Sequence, residues 1–425
     1  MYLSLFFVLC ISLFINPILC YVPLKRANHN SVIIDNRLLI FGGVKNITLD
    51  LLSYAFELFY LDLSVSFDVK NVSWALIPEG NSPPYSSHST TVVGLDNSTI
   101  FQIGGFIFNK NTLNYDFSNL VFTYDYPTGK WDTPSITGDI PPRQLVRGVI
   151  NNKGIIYMFG GYNATNITES EYIGTFYNDM YILNTKTMTL SLLSILGNLP
   201  SRCGAYSANI LPNGIIIYIG GTANTTNATT TPININNIRL FDTNKYEWSQ
   251  MNATGETIDS RWFHTSVLTT DGYIIVFGGC TFEGKFSYTY SVSPNLAVLD
   301  TNKNPFEWSI PESSKINSPP SMCSHAANLY YNYMIVTFGF LIENNSTFIN
   351  STFNSDVYIY DITSNSWVTS YTAPDISKSI KKSSKKALAI GLGTGVAVIF
   401  IILILIGAFI FYKKRGRILR VSGSA

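Results

Sequence analysis

The sequence predicts an all-β protein built from six repeats, and three observations predict it. A short apolar run ends on two glycines in nearly every repeat, as in Leu38–Gly43 and Ile274–Gly279. The first glycines stand 62, 56, 60, 58 and 61 residues apart, at Gly42, Gly104, Gly160, Gly220, Gly278 and Gly339. A constant period of this kind is typical of repeat architectures. A tryptophan later in the repeat is the third mark, at Trp74, Trp131, Trp248, Trp308 and Trp367.

Each repeat is expected to contain four short strands. In the first repeat they are Ala27–Ile34, Leu38–Phe41, Phe56–Asp62 and Val72–Ile77, and their alternation or apolar runs fit short β-strands. A four-stranded antiparallel unit with one apolar side cannot bury that side alone, so the units must stack on one another. The predicted units are residues 26–80, 81–140, 141–199, 200–258, 259–317 and 318–372.

The glycine pair marks the end of the second strand, where the backbone turns to positive φ or approaches another chain segment closely. The second glycine follows the first directly at Gly43, Gly105, Gly161, Gly221 and Gly279. In the sixth repeat Phe340 follows Gly339, and we interpret it as a replacement of the second glycine. In the third repeat Leu190 takes the place of the tryptophan, which predicts looser packing there.

These marks resemble the kelch motif: an apolar strand ending in Gly-Gly, then a Tyr/Phe-Asp, then a tryptophan about six residues later. Three of the Asp-to-Trp gaps are six residues, for example Asp125 to Trp131. The resemblance covers Arg26 to about Thr372 and implies a six-bladed kelch-type β-propeller in residues 21–372. The ring closes blade against blade, or Tyr21–Leu24 adds a strand to the final blade; the sequence leaves both open.

The two ends of the chain predict passage into the secretory pathway and a membrane anchor. Residues 1–20 have the apolar core of a signal peptide, with an uncleaved anchor as the alternative. After a Ser/Lys-rich stalk at 373–386, Ala387–Tyr412 contains no charged residue and is long enough for a transmembrane helix. The basic residues 413–425 would form a short cytoplasmic tail. We therefore expect a single-pass type I membrane protein whose propeller is extracellular or luminal.

Charge and cysteine content restrict the function further. A net charge of +1 gives no global field for nucleic acid, so no nucleic-acid partner is predicted. Outside the predicted signal peptide only three cysteines remain, too few for a disulfide scaffold or a zinc site. Cys280 and Cys323 lie on neighbouring blades, and oxidising conditions would allow a disulfide between them.

Five polar residues precede the second strand at similar distances and are candidates for a channel-mouth site. Counted back from the first glycine, His29, His88, His264 and His325 lie 13, 16, 14 and 14 residues away. Arg147 lies 13 residues before its own glycine. One hypothesis is a polar or metal-binding mouth. The other, which repetition itself favours, is that histidine caps the inner strand by hydrogen bonds; we therefore predict no metal and no cofactor.

The connections between second and third strands are long and carry most of the glycosylation sequons. Loops of this length are often functional, so a protein or glycan partner is expected on this face. Glycans in a translocated chain require exposed asparagines. The candidate glycosylation sites are Asn46, Asn71, Asn97, Asn163, Asn166, Asn224, Asn227, Asn252, Asn344, Asn345 and Asn350.

The sequence leaves three functions to weigh. No Gly-x-Ser-x-Gly elbow, His-Glu-x-x-His motif or phosphate-binding loop appears, which favours a non-enzymatic binding module. The kelch resemblance also implies similarity to galactose oxidase, a copper oxidoreductase with seven blades and a further C-terminal domain. The last tryptophan lies only 19 residues before Lys386, which leaves no room for such a domain before the predicted span. A structural surface glycoprotein without a dedicated ligand is the third possibility.

Overall fold

A computed structural model describes residues 20–48, 51–78, 85–167, 172–195, 197–224, 230–282, 289–342 and 352–374. The described residues from Cys20 to Thr372 belong to one compact unit. The described chain is β-structure throughout apart from one 3-10 turn, Glu312–Lys315. The predicted signal peptide (apart from Cys20), transmembrane helix and tail lie outside the described residues. Within those residues, no helix is both long and apolar enough to cross a membrane.

Six antiparallel sheets in the described chain form the blades of the propeller. In each sheet the four strands follow in sequence order, and the inner strands of neighbouring blades contact one another around the channel. Their bounds, from the channel outward, are Asn30–Ile34, Arg37–Phe41, Leu58–Asp62 and Trp74–Ile77; Thr90–Val93, Thr99–Ile103, Val121–Asp125 and Lys130–Asp132; Gly148–Ile150, Ile155–Phe159, Met180–Asn184 and Thr189–Leu192; Ser207–Ile210, Ile215–Ile219, Asn237–Asp242 and Glu247–Asn252; Thr265–Leu268, Tyr273–Phe277, Leu296–Asp300 and Glu307–Ser309; Ala326–Tyr330, Tyr333–Thr337, Val357–Asp361 and Ser366–Val368.

The order of the strands follows from how each is buried. Inner strands alternate between buried and half-buried residues because one side faces the channel, as in Asn30–Ile34. Second strands are buried on both faces over their last four residues, as in Tyr273–Phe277, since a blade packs on each side of them. Asp35 and Asn36, with φ of 48° and 59°, form the tight turn that joins the first two strands of blade one.

The ring closes blade against blade. Asn328 Nδ2 of blade six donates a 2.5 Å hydrogen bond to Ser31 Oγ of blade one, and the Tyr330 hydroxyl donates to Asn36 Oδ1 at 2.7 Å. The N-terminal strand Cys20–Tyr21 pairs with Trp74–Ile77, which makes it a fifth, outermost strand of blade one. The alternative in which Tyr21–Leu24 extends the final blade is therefore wrong. A short pairing of Ser370–Tyr371 with Phe67–Asp68 also crosses the seam.

The tryptophans fill the spaces between neighbouring blades. Trp131 lies 5.5 Å from the ring of Phe41, and Trp248 lies 4.5 Å from that of Phe159. In each case the partner ends the second strand of the preceding blade. Blade three, whose outer strand carries Leu190, packs this leucine with Ile103 in the same hydrophobic cluster. An aliphatic pair thus replaces an aromatic pair.

The second glycine of each pair joins its blade to the next one. Its N–H donates to a carbonyl just upstream of the next inner strand, as in Gly43 to Ser86 at 2.9 Å and Gly279 to Met322 at 2.8 Å. In blade six this bond runs from Gly339 to Arg26, also at 2.9 Å. Gly339 is therefore the second glycine, and the interpretation of Phe340 as its replacement is wrong.

The residue that replaces a glycine in blade six is Phe338, at the first position. Its φ of 55° resembles the 60° to 68° of the other first glycines, whereas Gly339 has the larger φ of 104° that fits the second position. The prediction that Phe340 replaces a glycine was wrong because the sixth repeat has a single glycine, Gly339, flanked by Phe338 and Phe340. Local sequence does not decide which position the glycine occupies.

The connections between second and third strands have strands of their own, which the sequence did not predict. Most form a short hairpin, and several also pair with the segment upstream of the inner strand. We call the side of the propeller that carries them the hairpin face. Its described strands are Val44–Thr48, Leu51–Tyr54, Tyr85–Ser87, Phe106–Asn109, Asn114–Tyr115, Tyr162–Ile167, Tyr172–Phe176, Cys203–Gly204, Thr222–Asn224, Thr230–Pro232, Cys280–Thr281, Tyr290–Ser291, Met322–Cys323, Phe340–Leu341 and Thr352–Phe353.

Candidate functional site

A closed ring of six backbone hydrogen bonds surrounds the channel axis below the hairpin face. Each blade contributes one residue whose N–H donates to the equivalent carbonyl of the preceding blade, over 2.9 to 3.2 Å. All six have φ between 52° and 60°, in the left-handed region that side chains adopt rarely. The ring residues are Asn28, His88, Leu145, Ala205, Phe263 and Ser324.

Three of the four histidines directly follow a ring residue. His264 Nε2 bonds Ser207 Oγ of the preceding blade at 3.0 Å, and His325 Nε2 bonds Thr265 Oγ1 at 2.8 Å. His29 has Ala326 at the corresponding place in blade six, so it bonds Thr337 Oγ1 instead, at 3.1 Å. All three are buried. Each histidine therefore links two blades.

His88 and Arg147 occupy different positions from the other three candidates. His88 is itself a ring residue, and Arg147 lies two residues after the ring residue of its blade. Spacing to the glycine pair did not show this, because the turns between first and second strands differ in length. The five residues nevertheless line one cavity of about 50 Å³ beside the ring.

The histidines in this cavity are held in the neutral form. Burial, followed by the positive charge of Arg147, lowers the pKa of His88 and of His325 to about 3. The pKa values of His29 and His264 are also lowered, first by burial and then by nearby arginine and histidine charges. Among the described residues, no group of three or more His, Cys, Asp or Glu side chains is arranged to hold a metal.

An aromatic cleft opens on the rim of the hairpin face at blade two, beside blade one. Its cavity measures about 550 Å³ and is lined by Phe56, Tyr85, Phe108, Phe122 and Trp131 among others. Three of these rings, those of Phe56, Phe108 and Phe122, are only half-buried. The cleft therefore offers aromatic surface at a point where the repeat itself does not require it.

The rings of the cleft hold one another in place, and polar groups surround them. Tyr54, which does not line the cleft itself, stacks on the lining ring of Phe108 at 3.9 Å between ring centroids and contacts that of Tyr85 at 4.2 Å. Lys110 lies 6.0 Å from the centre of the Phe56 ring. The remaining lining includes amide, hydroxyl and carboxylate groups, from Asn109, Asn111, Asp116, Ser118 and Asn119.

Comparison with known proteins places this architecture in a family. The family model described as KLHDC2/KLHL20/DRC7 Kelch-repeats domain matches residues 16–221 and 169–392. The chain belongs to the kelch-repeat family. A solved structure, titled "Structure of YjhT", aligns with a TM-score of 0.56 over 83% of this chain and 98% of that one. At 13% identity this similarity concerns the fold alone.

Curated kelch relatives are similar over part of their length. Kelch domain-containing protein 3 of Rattus norvegicus is 28% identical over 60% of this chain and 64% of its own length. The human protein of that name is 27% identical over the same shares. Acyl-CoA-binding domain-containing protein 4 of Arabidopsis thaliana is 24% identical over 65% of this chain and 38% of its own length. The chain thus spans less than two thirds of these relatives.

Buried arginines tie the kelch blades to their glycine pairs, which the sequence reasoning missed. In three blades a guanidinium donates a hydrogen bond to the carbonyl of the first glycine of its own blade. The distance is 3.1 Å for Arg26 and for Arg261, and 2.9 Å for Arg143. In blade four Cys203 stands at the corresponding position, and Arg239 from the third strand bonds the Gly220 carbonyl instead, at 2.7 Å. The available signal was an Arg two residues before the ring residue in three of the six blades, at Arg26, Arg143 and Arg261.

Three cysteines of the kelch propeller, Cys203, Cys280 and Cys323, are buried free thiols. Cys280 and Cys323 belong to one hydrophobic cluster beneath the hairpin face and contact each other there. Burial, together with the neighbouring Cys323 thiol, raises the pKa of Cys280 well above its ordinary value. The structure therefore has no disulfide at this pair, and a disulfide under oxidising conditions stays a prediction.

The described sequons differ in exposure. Asn71, Asn97 and Asn252 are exposed, as attachment of a glycan requires. The Asn163 side chain is only half-buried, but its Nδ2 already donates a 2.7 Å hydrogen bond to the Tyr177 hydroxyl. The side chains of the remaining candidates, Asn46, Asn166, Asn224, Asn227, Asn344, Asn345 and Asn350, lie outside the described part.

Proposed function

We propose that this kelch propeller is a non-enzymatic binding module that recognises its partner at the aromatic cleft. Kelch domains are usually protein-interaction modules, and a protein partner is the first candidate. The single observation that carries the proposal is the cleft itself. Half-buried aromatic rings beside surface polar groups are typical of recognition sites, where rigid rings supply contact area and polar groups supply orientation.

A glycan is the second candidate, and one observation favours it. The rings of Phe56 and Phe108 lie beside Asn109, Asn111 and Asp116. Aromatic faces offer apolar surface to the C–H groups of a sugar ring, while amide and carboxylate groups hydrogen-bond its hydroxyls. A structural protein without a dedicated ligand remains the alternative if neither partner class binds.

Binding by the full-length protein tests the proposal. The exposed residues Lys110 and Asn111 would be replaced together by alanine, with Asn152 and Lys153 on the opposite face as the matched control pair. We expect the cleft variant to lose capture of proteins or of arrayed glycans at least tenfold, a change of about 1.4 kcal/mol. The control variant is expected to bind as the wild type does.

Three results would count against this proposal. Equal binding by the cleft variant would move the site elsewhere. Loss of binding in the control pair alone would move it to the opposite face. Stoichiometric copper in the purified protein would instead favour the galactose-oxidase-like alternative, which neither the comparisons nor the metal geometry of the described residues supports.

We also propose that the chain is a single-pass type I membrane protein with an extracellular or luminal propeller. The apolar, uncharged residues 387–412 and the apolar N-terminal segment support this from sequence. Glycosidase treatment of the protein from its native membrane is the test. A mass shift assigned to Asn71, Asn97 or Asn252 supports translocation of the propeller. Full digestion of the propeller by protease added to the cytoplasmic side would contradict it.

A further inference from the structure

Arg147 is a cation inside the channel for which the described residues supply no partner. It lines the cavity of about 50 Å³ beside the backbone ring and a second cavity of about 190 Å³ along the inner strands. Neither cavity has an aspartate or glutamate among its lining residues. In the other blades the equivalent residues are uncharged, namely Asn30, Thr90, Ser207, Thr265 and Ala326.

The fully buried arginines of this protein, unlike Arg147, have hydrogen-bond or ion-pair partners. Arg143 bonds Asp179 Oδ1 and the Gly160 carbonyl, both at 2.9 Å. Arg261 bonds the carbonyl oxygens of Gly278 and Pro294 at 3.1 and 2.8 Å. Arg147 itself is half-buried, and among the described residues its guanidinium has no such ion pair or hydrogen bond. A partly desolvated cation without a counter-charge attracts an anion more strongly than one in open water does, which favours an anionic ligand at this place.

Among the residues that line the two cavities, Arg147 is the only arginine, lysine, aspartate or glutamate. Its positive charge contributes to the lowered pKa of every histidine in the chain, His29, His88, His264 and His325, which places it centrally among them. Those histidines are neutral, and three of them already bond hydroxyls of neighbouring strands. Burial lowers the pKa of Arg147 itself, but an arginine remains protonated at neutral pH.

The second cavity supplies further hydrogen-bond donors. Thr90 Oγ1 accepts the N–H of Gly148 at 2.8 Å, and Ser31 Oγ accepts Asn328 Nδ2 at 2.5 Å. Ser266 Oγ likewise accepts the side-chain amide of Asn209 at 2.6 Å. A hydroxyl that accepts one bond still has its own proton to donate. All three hydroxyls line the 190 Å³ cavity together with Arg147.

We propose that the propeller channel binds one small inorganic oxyanion at Arg147. The planar guanidinium donates two parallel N–H groups to an oxyanion, and the hydroxyls of Ser31, Thr90 and Ser266 are the further donors. A cavity of 190 Å³ admits a tetrahedral anion with part of its hydration shell, since one water needs only about 10–15 Å³ by the same measure. This site is separate from the aromatic cleft, and the proposal does not depend on which partner the cleft binds.

The site is tested with inorganic phosphate and the full-length protein at pH 7 and constant ionic strength. Thermal unfolding and titration calorimetry would be measured for the wild type, Arg147→Met and Arg202→Met. Arg202 is exposed and outside both cavities, so it controls for the loss of one positive charge. We expect a saturable rise of Tm with phosphate in the wild type and the control. In Arg147→Met the affinity should fall about tenfold to a hundredfold.

Other outcomes overturn the assignment. An equal phosphate response in Arg147→Met, or none in the wild type, would remove the site. A response to chloride but not to phosphate would contradict an oxyanion site. Arg147→Lys, which keeps the charge but loses the planar fork, serves if the methionine variant fails to fold. It should bind phosphate more weakly than the wild type, and unchanged binding would also contradict the proposed geometry.

Discussion

Replacing Phe338 with glycine, the residue that the other five blades carry at this position, is expected to destabilise the protein. Phe338 is fully buried at the seam between blades six and one. Its ring lies 5.2 Å from that of His29, 5.7 Å from that of Trp74 and 6.0 Å from that of Phe59. The side chain therefore fills the junction that closes the propeller.

Two opposing terms set the size of the effect. Removing a buried phenylalanine side chain costs about 3–5 kcal/mol in transfer and cavity free energy. Glycine relieves the left-handed backbone, where φ is 55°, and regains about 1–2 kcal/mol. The difference is a loss of about 1–4 kcal/mol in the free energy of unfolding, with ~2.5 kcal/mol as the midpoint.

Urea denaturation of the full-length protein, followed by tryptophan fluorescence, measures this loss. Gly197→Ala is the control, because a Cβ there would meet nothing within 4 Å, and it should change stability by less than about 0.5 kcal/mol. Gly339→Ala should destabilise clearly, since its φ is 104° and its Cβ would lie 2.8 Å from His325 Cβ. A Phe338→Gly variant as stable as the wild type would refute the inference that the buried Phe338 ring stabilises the seam between blades six and one.

Three further predictions concern single groups. The pKa of His325 is about 3 in the folded protein against 6.5 ordinarily, so the unfolded chain binds more protons below pH 6.5 and stability falls towards pH 3. His325→Gln should reduce this slope by up to about 1.4 kcal/mol per pH unit, and an unchanged slope in pH-dependent unfolding would contradict burial of the neutral ring. Cys280 and Cys323 should react with an alkylating reagent only after unfolding; a cross-linked peptide in an unreduced mass-spectrometric map would instead establish the disulfide. In a glycosylated sample Asn163 should be less occupied than Asn71, and site mapping with the reverse order would contradict its bond to Tyr177.

Strand order and blade number followed from the sequence because they rest on local rules. An apolar run that ends at Gly104-Gly105 or Gly160-Gly161 specifies a buried strand and a positive-φ turn wherever it occurs. Repetition at a nearly constant period then requires stacking, since one unit cannot cover its own apolar side. These inferences needed no knowledge of which residues meet across the channel.

The candidate site was predicted only in part. The sequence predicted that Arg147 and the histidines lie together near one mouth of the channel. It wrongly assigned His88 and Arg147 to the same repeat position as the other three histidines. Differences of one or two residues in the turns change the count without changing the fold. The aromatic cleft was missed because Phe56 and Phe108 come from separate repeats and neither belongs to the repeating pattern.

The sequence by itself determined the all-β class, the six repeats and the positions where glycine or tryptophan is needed. Only the tertiary structure decided which glycine position Phe338 takes, how the ring closes and that the described residues lining its cavities place no carboxylate beside Arg147. The physical reason is distance along the chain. The bond from Gly339 to Arg26 and the contact of Phe338 with Trp74 join residues that are far apart in sequence, so no local pattern records them.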